Sequence, residues 1–172
     1  RAVLQDVSAQ GANFQRARMT SAVFRGAKLQ GANFSRVEAH DVEFRDADLT
    51  GANLSGGSFT HASFRSADLG QANLIGANLD GAEFRDADLS RTSLHGANLA
   101  TARGLTQDQL NEACGDSRTR LPRGLNVRHC AGVRLIVKPG ERFRALQMVP
   151  AVPASAVSPP RPPATPTPPS PR

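Results

Sequence analysis

The chain has no tryptophan and no tyrosine, and its eight phenylalanines leave it 5% aromatic over 172 residues. A domain of this length ordinarily draws more of its core from aromatic rings, so the expected core is narrow and filled by Leu, Ala and Phe. Two cysteines, Cys114 and Cys130, are too few for a disulfide scaffold. No apolar run is long enough to span a bilayer, and no signal peptide is recognisable. A cytoplasmic location is therefore expected. The first residue is Arg, and Arg1-Ala2-Val3-Leu4 already fits the pattern described below, so the start reads as truncated and an export leader stays open.

Charge of one sign is missing from most of the chain. Residues 1–104 carry 11 Lys/Arg against 11 Asp/Glu, while residues 105–172 carry 10 against 4, so the formal +6 sits wholly in the C-terminal part. A neutral body is not expected to bind nucleic acid or an anionic membrane directly.

The residues of a catalytic site are also sparse. The four histidines are His40, His61, His95 and His129, and no carboxylate and nucleophile fall into register with them. In the fold argued below only His40 and His61 share a face, and all four read as solvated surface groups. No glycine-rich phosphate loop occurs. Neither an enzyme nor a cofactor is expected. Cys114, His129 and Cys130 offer three zinc ligands, but adjacent His-Cys ligation is awkward and a fourth ligand is not evident. A Cys114–Cys130 disulfide and a buried thiol pair are the two remaining readings; a reducing cytoplasm favours thiols.

What the sequence does hold is a beat of five. From Leu4 to Leu99, Leu, Phe or Met occupies 18 of 20 positions taken at every fifth residue; Ala9 and Ala39 are the exceptions. Two residues before each centre stands a small residue, usually Ala, with Val7, Val37, Val42, Gly57 and Thr92 as variants. Apolar spacings of 2, 3, 2, 3 scatter around a helix and break the alternation of a long strand. A three-residue strand with both ends inward, followed by a two-residue corner, satisfies them. Corners of one sense wind the chain into a solenoid whose coils pair as parallel strands.

A period of 20 sets four sides to the coil. One inward column reads Phe24, Phe44, Phe64 and Phe84, and another reads Leu29, Leu49, Leu69 and Leu89. Outward columns recur at the same period: Arg25, Arg45, Arg65 and Arg85; Asp48, Asp68 and Asp88; Asn13, Asn33, Asn53 and Asn73, continued by Ser93. Five coils would make a rod of roughly 24 Å at the parallel-strand spacing.

The segments ANFQR, AKLQG, ANFSR, ADLTG, ANLSG, ADLGQ, ANLIG, ANLDG, ADLSR and ANLAT resemble the pentapeptide-repeat pattern A(D/N)LXX over about residues 1–103. The resemblance implies an all-β fold, a right-handed, four-sided parallel β-helix. It also implies that some members mimic duplex DNA and bind DNA gyrase, which requires a strongly acidic rod. Here the body is neutral, and the C-terminal dimerisation those members use is not visible. Ala9 and Ala39 depart from the pattern and would under-fill the core; Phe59, one coil above Ala39, is placed to fill the gap.

A cap is expected at residues 104–130. Thr106 and Gln109 form a capping box, Leu105 and Leu110 a hydrophobic staple, and Gly115 a left-handed stop, giving a short helix over about Gln107 to Cys114. Leu110, Ala113 and Cys114 share the face that closes the last coil. Residues 119–130 then wrap as an extended segment with Leu121, Leu125 and Val127 inward. The N-terminal end shows no such cap. Residues 131–149 read as weakly ordered, with a strand-like run at 133–137. Residues 150–172 hold 10 of the 12 prolines and read as a disordered tail.

The surface readings follow from the columns. The Arg column lies among Asp6, Glu43, Asp46, Glu83 and Asp86 and reads as a salt-bridged rail. The Asn column reads as a ladder bonded along the stack, on a neutral face that suits protein docking with Ile75 as its apolar anchor. The expected role is a structural or protein-interaction module. The alternative is a gyrase modulator acting by DNA mimicry. Homodimerisation stays open.

Overall fold

The computed structural model describes residues 2–130. The chain divides into two units, Arg1–Arg134 and Leu135–Arg172. The expected weak strand at 133–137 and the Pro-rich tail lie outside the described residues.

Each Ala-x-Leu/Phe triplet lies flat, with its outer two residues turned inward and its middle residue outward. The middle residues pair in parallel at intervals of twenty. The first face runs Val3, Val23, Glu43, Ser63, Glu83 and Arg103; the second runs Ser8, Lys28, Asp48, Asp68 and Asp88. The third runs Asn13, Asn33, Asn53, Asn73, Ser93 and Cys114; the fourth runs Arg18, Glu38, Ser58, Asn78, Asn98 and Arg120. The strands are so short that each contributes a single bridge. Three backbone bonds tie each flat to the next coil. Phe24 N donates to Glu43 O at 2.7 Å, Gly26 N to Arg45 O at 2.9 Å, and Glu43 N to Ala22 O at 2.9 Å.

The corners explain the rest of the motif. At most corners the N–H after the corner closes a turn onto the carbonyl of the centre, as in Ala27 N to Phe24 O and Ala67 N to Phe64 O, both 3.1 Å. The second corner residue takes positive φ, the backbone a type II turn requires. Gly51 sits at φ 65° with open space around it, yet Arg36 at 57° and Ser66 at 53° adopt the same conformation without glycine's freedom. Where Asn or Asp precedes a centre, it reaches over it to accept from the first corner N–H: Ser35 N to Asn33 Oδ1 at 3.0 Å, Ser55 N to Asn53 Oδ1 at 3.1 Å, Gly70 N to Asp68 Oδ1 at 2.8 Å. A short polar side chain is needed there because it must fold back two residues along its own chain.

Inside, Phe24, Phe44, Phe64 and Phe84 form one stacked column, with successive centroids 5.2, 5.4 and 5.1 Å apart. Leu29, Leu49, Leu69 and Leu89 are buried in another column, and Thr92 spends its buried hydroxyl on Leu69 O at 2.7 Å. Phe59 gains its room from its own repeat. A Cβ at Gly57 would stand 2.5 Å from the Phe59 ring, so only glycine fits beneath it. Ala39 is fully buried. At the first coil Leu4, Val7, Ala9, Phe14 and Met19 are only partly covered.

The cap is built on α1, Gln107–Glu112, with Thr106 as N-cap and the Thr106/Gln109 capping box formed. The helix ends two residues earlier than the sequence suggests. Ala113 is extended, at φ −89° and ψ 174°, because Cys114 leaves the helix to take the next place in the third face. Gly115 is not a left-handed stop. It is a space requirement: a Cβ there would stand 2.7 Å from Thr119 Oγ1 and 2.9 Å from Val127 Cγ1. Leu110 and Ala113 are fully buried, and Leu121, Leu125 and Val127 pack partly buried against the core.

Candidate interaction surfaces

The Asn column is not a stacked ladder. Asn13, Asn33, Asn53 and Asn73 each accept from the N–H two residues on, in their own corner. A side-chain bond along the stack occurs instead on the fourth face, from Asn98 Nδ2 to Asn78 Oδ1 at 3.3 Å. The third face is thus neutral, and its carboxamide oxygens are already engaged. Ile75 follows Asn73 at the corner and is 45% exposed; among the described residues the other exposed large apolar side chain is Val3.

The Arg column is drawn into acid-sharing pairs. Arg25 and Arg45 lie 3.8 and 3.4 Å from Asp46, and Arg65 and Arg85 lie 3.7 and 4.0 Å from Glu83. All four arginines keep substantial solvent contact, so the pairs cancel charge more than they stabilise. The second face carries Asp48, Asp68 and Asp88. Partial burial acts to raise the Asp48 pKa, but bonds from the Thr50 hydroxyl and N–H, the Gln30 amide and the charge of Lys28 outweigh it and hold that carboxyl below its ordinary value.

The histidines are spread along the rod. His40 bonds Thr60, and His61 lies 3.8 Å from Asp41 on the same corner column. His95 stands at the far end, with Nδ1 2.8 Å from Ser93 Oγ and 3.5 Å from Cys130 Sγ. Cys114 and Cys130 are joined as a disulfide, so of the readings left open for them the bonded one is the one present. No metal-ligand group of three or more His, Cys, Asp or Glu occurs among the described residues.

Grooves break the surface of the described residues at both ends of the stack. One of about 420 Å³ lies where α1 meets the second face, lined by Asp88, Asp108, Asn111 and Glu112 among others. Another, about 290 Å³, lies at the first coil against Leu4, Phe14, Met19 and Phe24. No helix among the described residues is long and apolar enough to cross a membrane.

The functional groups least visible in the sequence are those that finish the last coil. Gln109 Nε2 donates to Phe84 O and Ala87 O, both at 2.8 Å, while its Oε1 accepts from Thr106 N at 2.8 Å. Asp116 Oδ1 accepts from Gly96 N at 2.8 Å. That N–H, opposed by desolvation and joined by bonds from Arg118 and Thr119, holds the Asp116 carboxyl far below the usual range. The capping-box spacing hinted at Gln109; nothing local in the sequence marks Asp116.

The pentapeptide-repeat family model matches residues 1–37, 43–79 and 67–103, in eight copies. Among solved structures, the chain is similar to a pentapeptide repeat protein from the thylakoid lumen of Arabidopsis thaliana: 32% identity over 61% of this chain and 71% of that one, TM-score 0.57. It also aligns with HetL, a pentapeptide repeat protein involved in heterocyst differentiation regulation from the cyanobacterium Nostoc sp. strain PCC 7120, at 29% identity over 67% of this chain and 52% of that one, TM-score 0.35. QnrB1, a plasmid-mediated fluoroquinolone resistance protein, aligns at 21% identity over 72% of this chain and 69% of that one, TM-score 0.30. A search of curated protein sequences finds no match. With its period, its corners and the family model in agreement over most of the described residues, the chain belongs to the pentapeptide-repeat family.

Proposed function

We propose that the chain is a non-catalytic rod of about five right-handed coils that serves as a docking module for another protein. The observation that carries this reading is Ile75, 45% exposed on a corner column whose other members are Gln15, Ser35, Ser55 and His95. An isolated apolar side chain on a flat neutral face is suited to act as an anchor, with Asn33, Asn53 and Asn73 as the polar surround. The carboxamide oxygens of those residues are engaged in their corners, so docking there does not strand many unpaired acceptors. The Arg25–Arg85 column is a weaker candidate, since Asp46 and Glu83 offset its charge.

Photo-crosslinking groups placed one at a time at positions 75, 73 and 65 test the reading in cells. Position 75 should capture a discrete protein, and capture from position 73 should disappear on Ile75→Arg. Equal, diffuse labelling from positions 75 and 65 would sink it.

A second reading, modulation of DNA gyrase, draws support from the acidic column Asp48, Asp68 and Asp88, which Asp108 and Glu112 extend at the cap groove. The equal counts of 11 acidic and 11 basic residues in 1–104 oppose it. Unchanged supercoiling and unchanged quinolone sensitivity in the presence of the protein would remove it. As to compartment, the Cys114–Cys130 bond weighs against a permanently reducing cytoplasm.

A further inference from the structure

We propose that the Cys114–Cys130 disulfide is a thiol–disulfide exchange site, reducible by a dithiol, and that it clasps the strap 121–130 onto the last coil. The two cysteines differ in what holds them. Cys114 belongs to the third face: its N–H donates to Thr92 O at 3.0 Å and its carbonyl accepts from Leu94 N at 2.8 Å. Cys130 belongs to the returning strap and is tied by one longer backbone bond, 3.2 Å to Gly115 O. Both are partly exposed, so a reductant can reach them.

The strap has few other ties. Gly115 N donates to Arg128 O at 2.9 Å, Gln107 and Asn126 exchange two bonds, and Arg128 Nε donates to Ala113 O at 3.1 Å. Its apolar contribution is Leu121, Leu125 and Val127, none of them fully buried. Arg120 roots the strap in the fourth face, its N–H donating to Ala97 O at 2.9 Å and its carbonyl accepting from Leu99 N at 2.7 Å, so breaking the S–S bond leaves the four faces intact and frees the chain beyond Arg120.

His95 gives the site a direction. Its Nδ1 lies 2.8 Å from Ser93 Oγ and 3.5 Å from Cys130 Sγ, and in the Nδ1–H tautomer, or when protonated, its hydrogen is shared between that hydroxyl and the sulfur. A thiolate beside an imidazolium is stabilised, and the more stable thiolate is the better leaving group. The other charged groups at this end are Asp116, bonded to Gly96 N and Arg118, together with Arg128 and His129. The exchange begins when one thiolate of a dithiol attacks Cys114 Sγ. The Cys114–Cys130 bond breaks, Cys130 leaves with the electron pair as a thiolate beside His95, and Cys114 is held in a mixed disulfide. The second thiolate of the reductant then attacks its own sulfur in that mixed bond and releases Cys114. Two electrons and two protons pass to the protein, and the dithiol becomes a disulfide.

The test uses the full chain and dithiothreitol. After reduction, confirmed by thiol alkylation, amide hydrogen exchange at 121–130 should rise roughly tenfold or more while residues 22–99 keep their protection. Cys114→Ser with Cys130→Ser should match the reduced protein. His95→Gln should slow reduction by roughly threefold or more at fixed pH and dithiothreitol concentration, with strap protection in the oxidised protein unchanged. Unchanged exchange in the fully reduced protein would overturn the clasp. Equal reduction rates for His95→Gln and the parent would overturn the role of His95.

Discussion

Residues 22–99 and residues 104–130 complete the same hydrogen-bond pattern by different means. Within the body, Asp68 N donates to Ala47 O and Asp88 N to Ala67 O, coil upon coil, with no side chain involved. At the top of the rod the next carbonyl in that series is Ala87 O, and no further coil supplies its N–H. The amide of Gln109 takes that place and covers Phe84 O as well. Where Gly76 N finds the carbonyl of His95, Gly96 N finds the carboxylate of Asp116. The Thr119 hydroxyl meets Leu94 O at 2.8 Å. A repeat satisfies its backbone through its neighbour, and an end must do so through particular side chains. The body should therefore be sensitive to volume and indifferent to surface identity, while the cap should depend on a few polar atoms.

Phe64→Ala is the strongest test of the first half of that contrast. Phe64 is fully buried between Phe44 and Phe84, with centroids 5.4 and 5.1 Å away. Neighbouring coils are pinned by their own backbone ladders and cannot collapse into the gap, so chemical denaturation should show a loss of about 3–5 kcal/mol. A loss under about 1 kcal/mol would mean that the aromatic column is not the support it appears to be from its stacking.

Gln109→Ala probes the second half. It removes the partner of Ala87 O, one of the two donors to Phe84 O and the acceptor for Thr106 N, and denaturation should record a loss of about 1–2 kcal/mol. Gln109→Glu should do no better. It keeps the capping acceptor but turns a carboxylate oxygen toward Phe84 O and Ala87 O. If Gln109→Glu retained full stability, the contacts to those carbonyls would not matter and the cap would rest on apolar packing alone.

The same contrast explains what could be read from the sequence. Period, coil length, inward columns and neutral faces were legible because the repeat states each of them many times over. The reason for Asn or Asp before each centre was not, since a ladder along the stack and a bond within the corner require the same residue. Asn33 and Ser35 show that the corner wins. In the cap each feature occurs once. Thr106 and Gln109 were visible as a local motif. The exit of the chain at Ala113, the steric need for Gly115 and the meeting of His95 with Cys130 depend on contacts 35 or fewer residues away in sequence that no local pattern encodes.

Acid should separate the two regions further. The pKa of Asp116 is depressed in the folded state, so its stabilisation is fully present above the unfolded carboxylate value of about 4 and is lost as pH falls through the folded value. Asp48 behaves in the same sense in the body, more weakly. Between pH 6 and pH 3, Asp116→Asn should therefore lose less stability than the parent while remaining acid-sensitive through Asp48. Identical losses across that range would show that the Gly96 N contact does not favour the charged form.

Arg65→Ala should do least of all. Its guanidinium is 3.7 Å from Glu83, and both side chains keep about a third of their surface in water, so the attraction is screened and offset by ordering two mobile groups. Arg85 also lies within 4.0 Å of Glu83, so the acid keeps a cationic neighbour when Arg65 is removed. The backbone of residue 65 does its part regardless of side chain, accepting from Asp46 N at 3.0 Å. The expected change is within about 0.5 kcal/mol, and added salt should shrink it further. A loss above about 1 kcal/mol that survives high salt would mean that the arginine column holds the coils together rather than merely balancing their charge, and the outer surface of the body would then carry structural weight that the backbone ladders do not require of it.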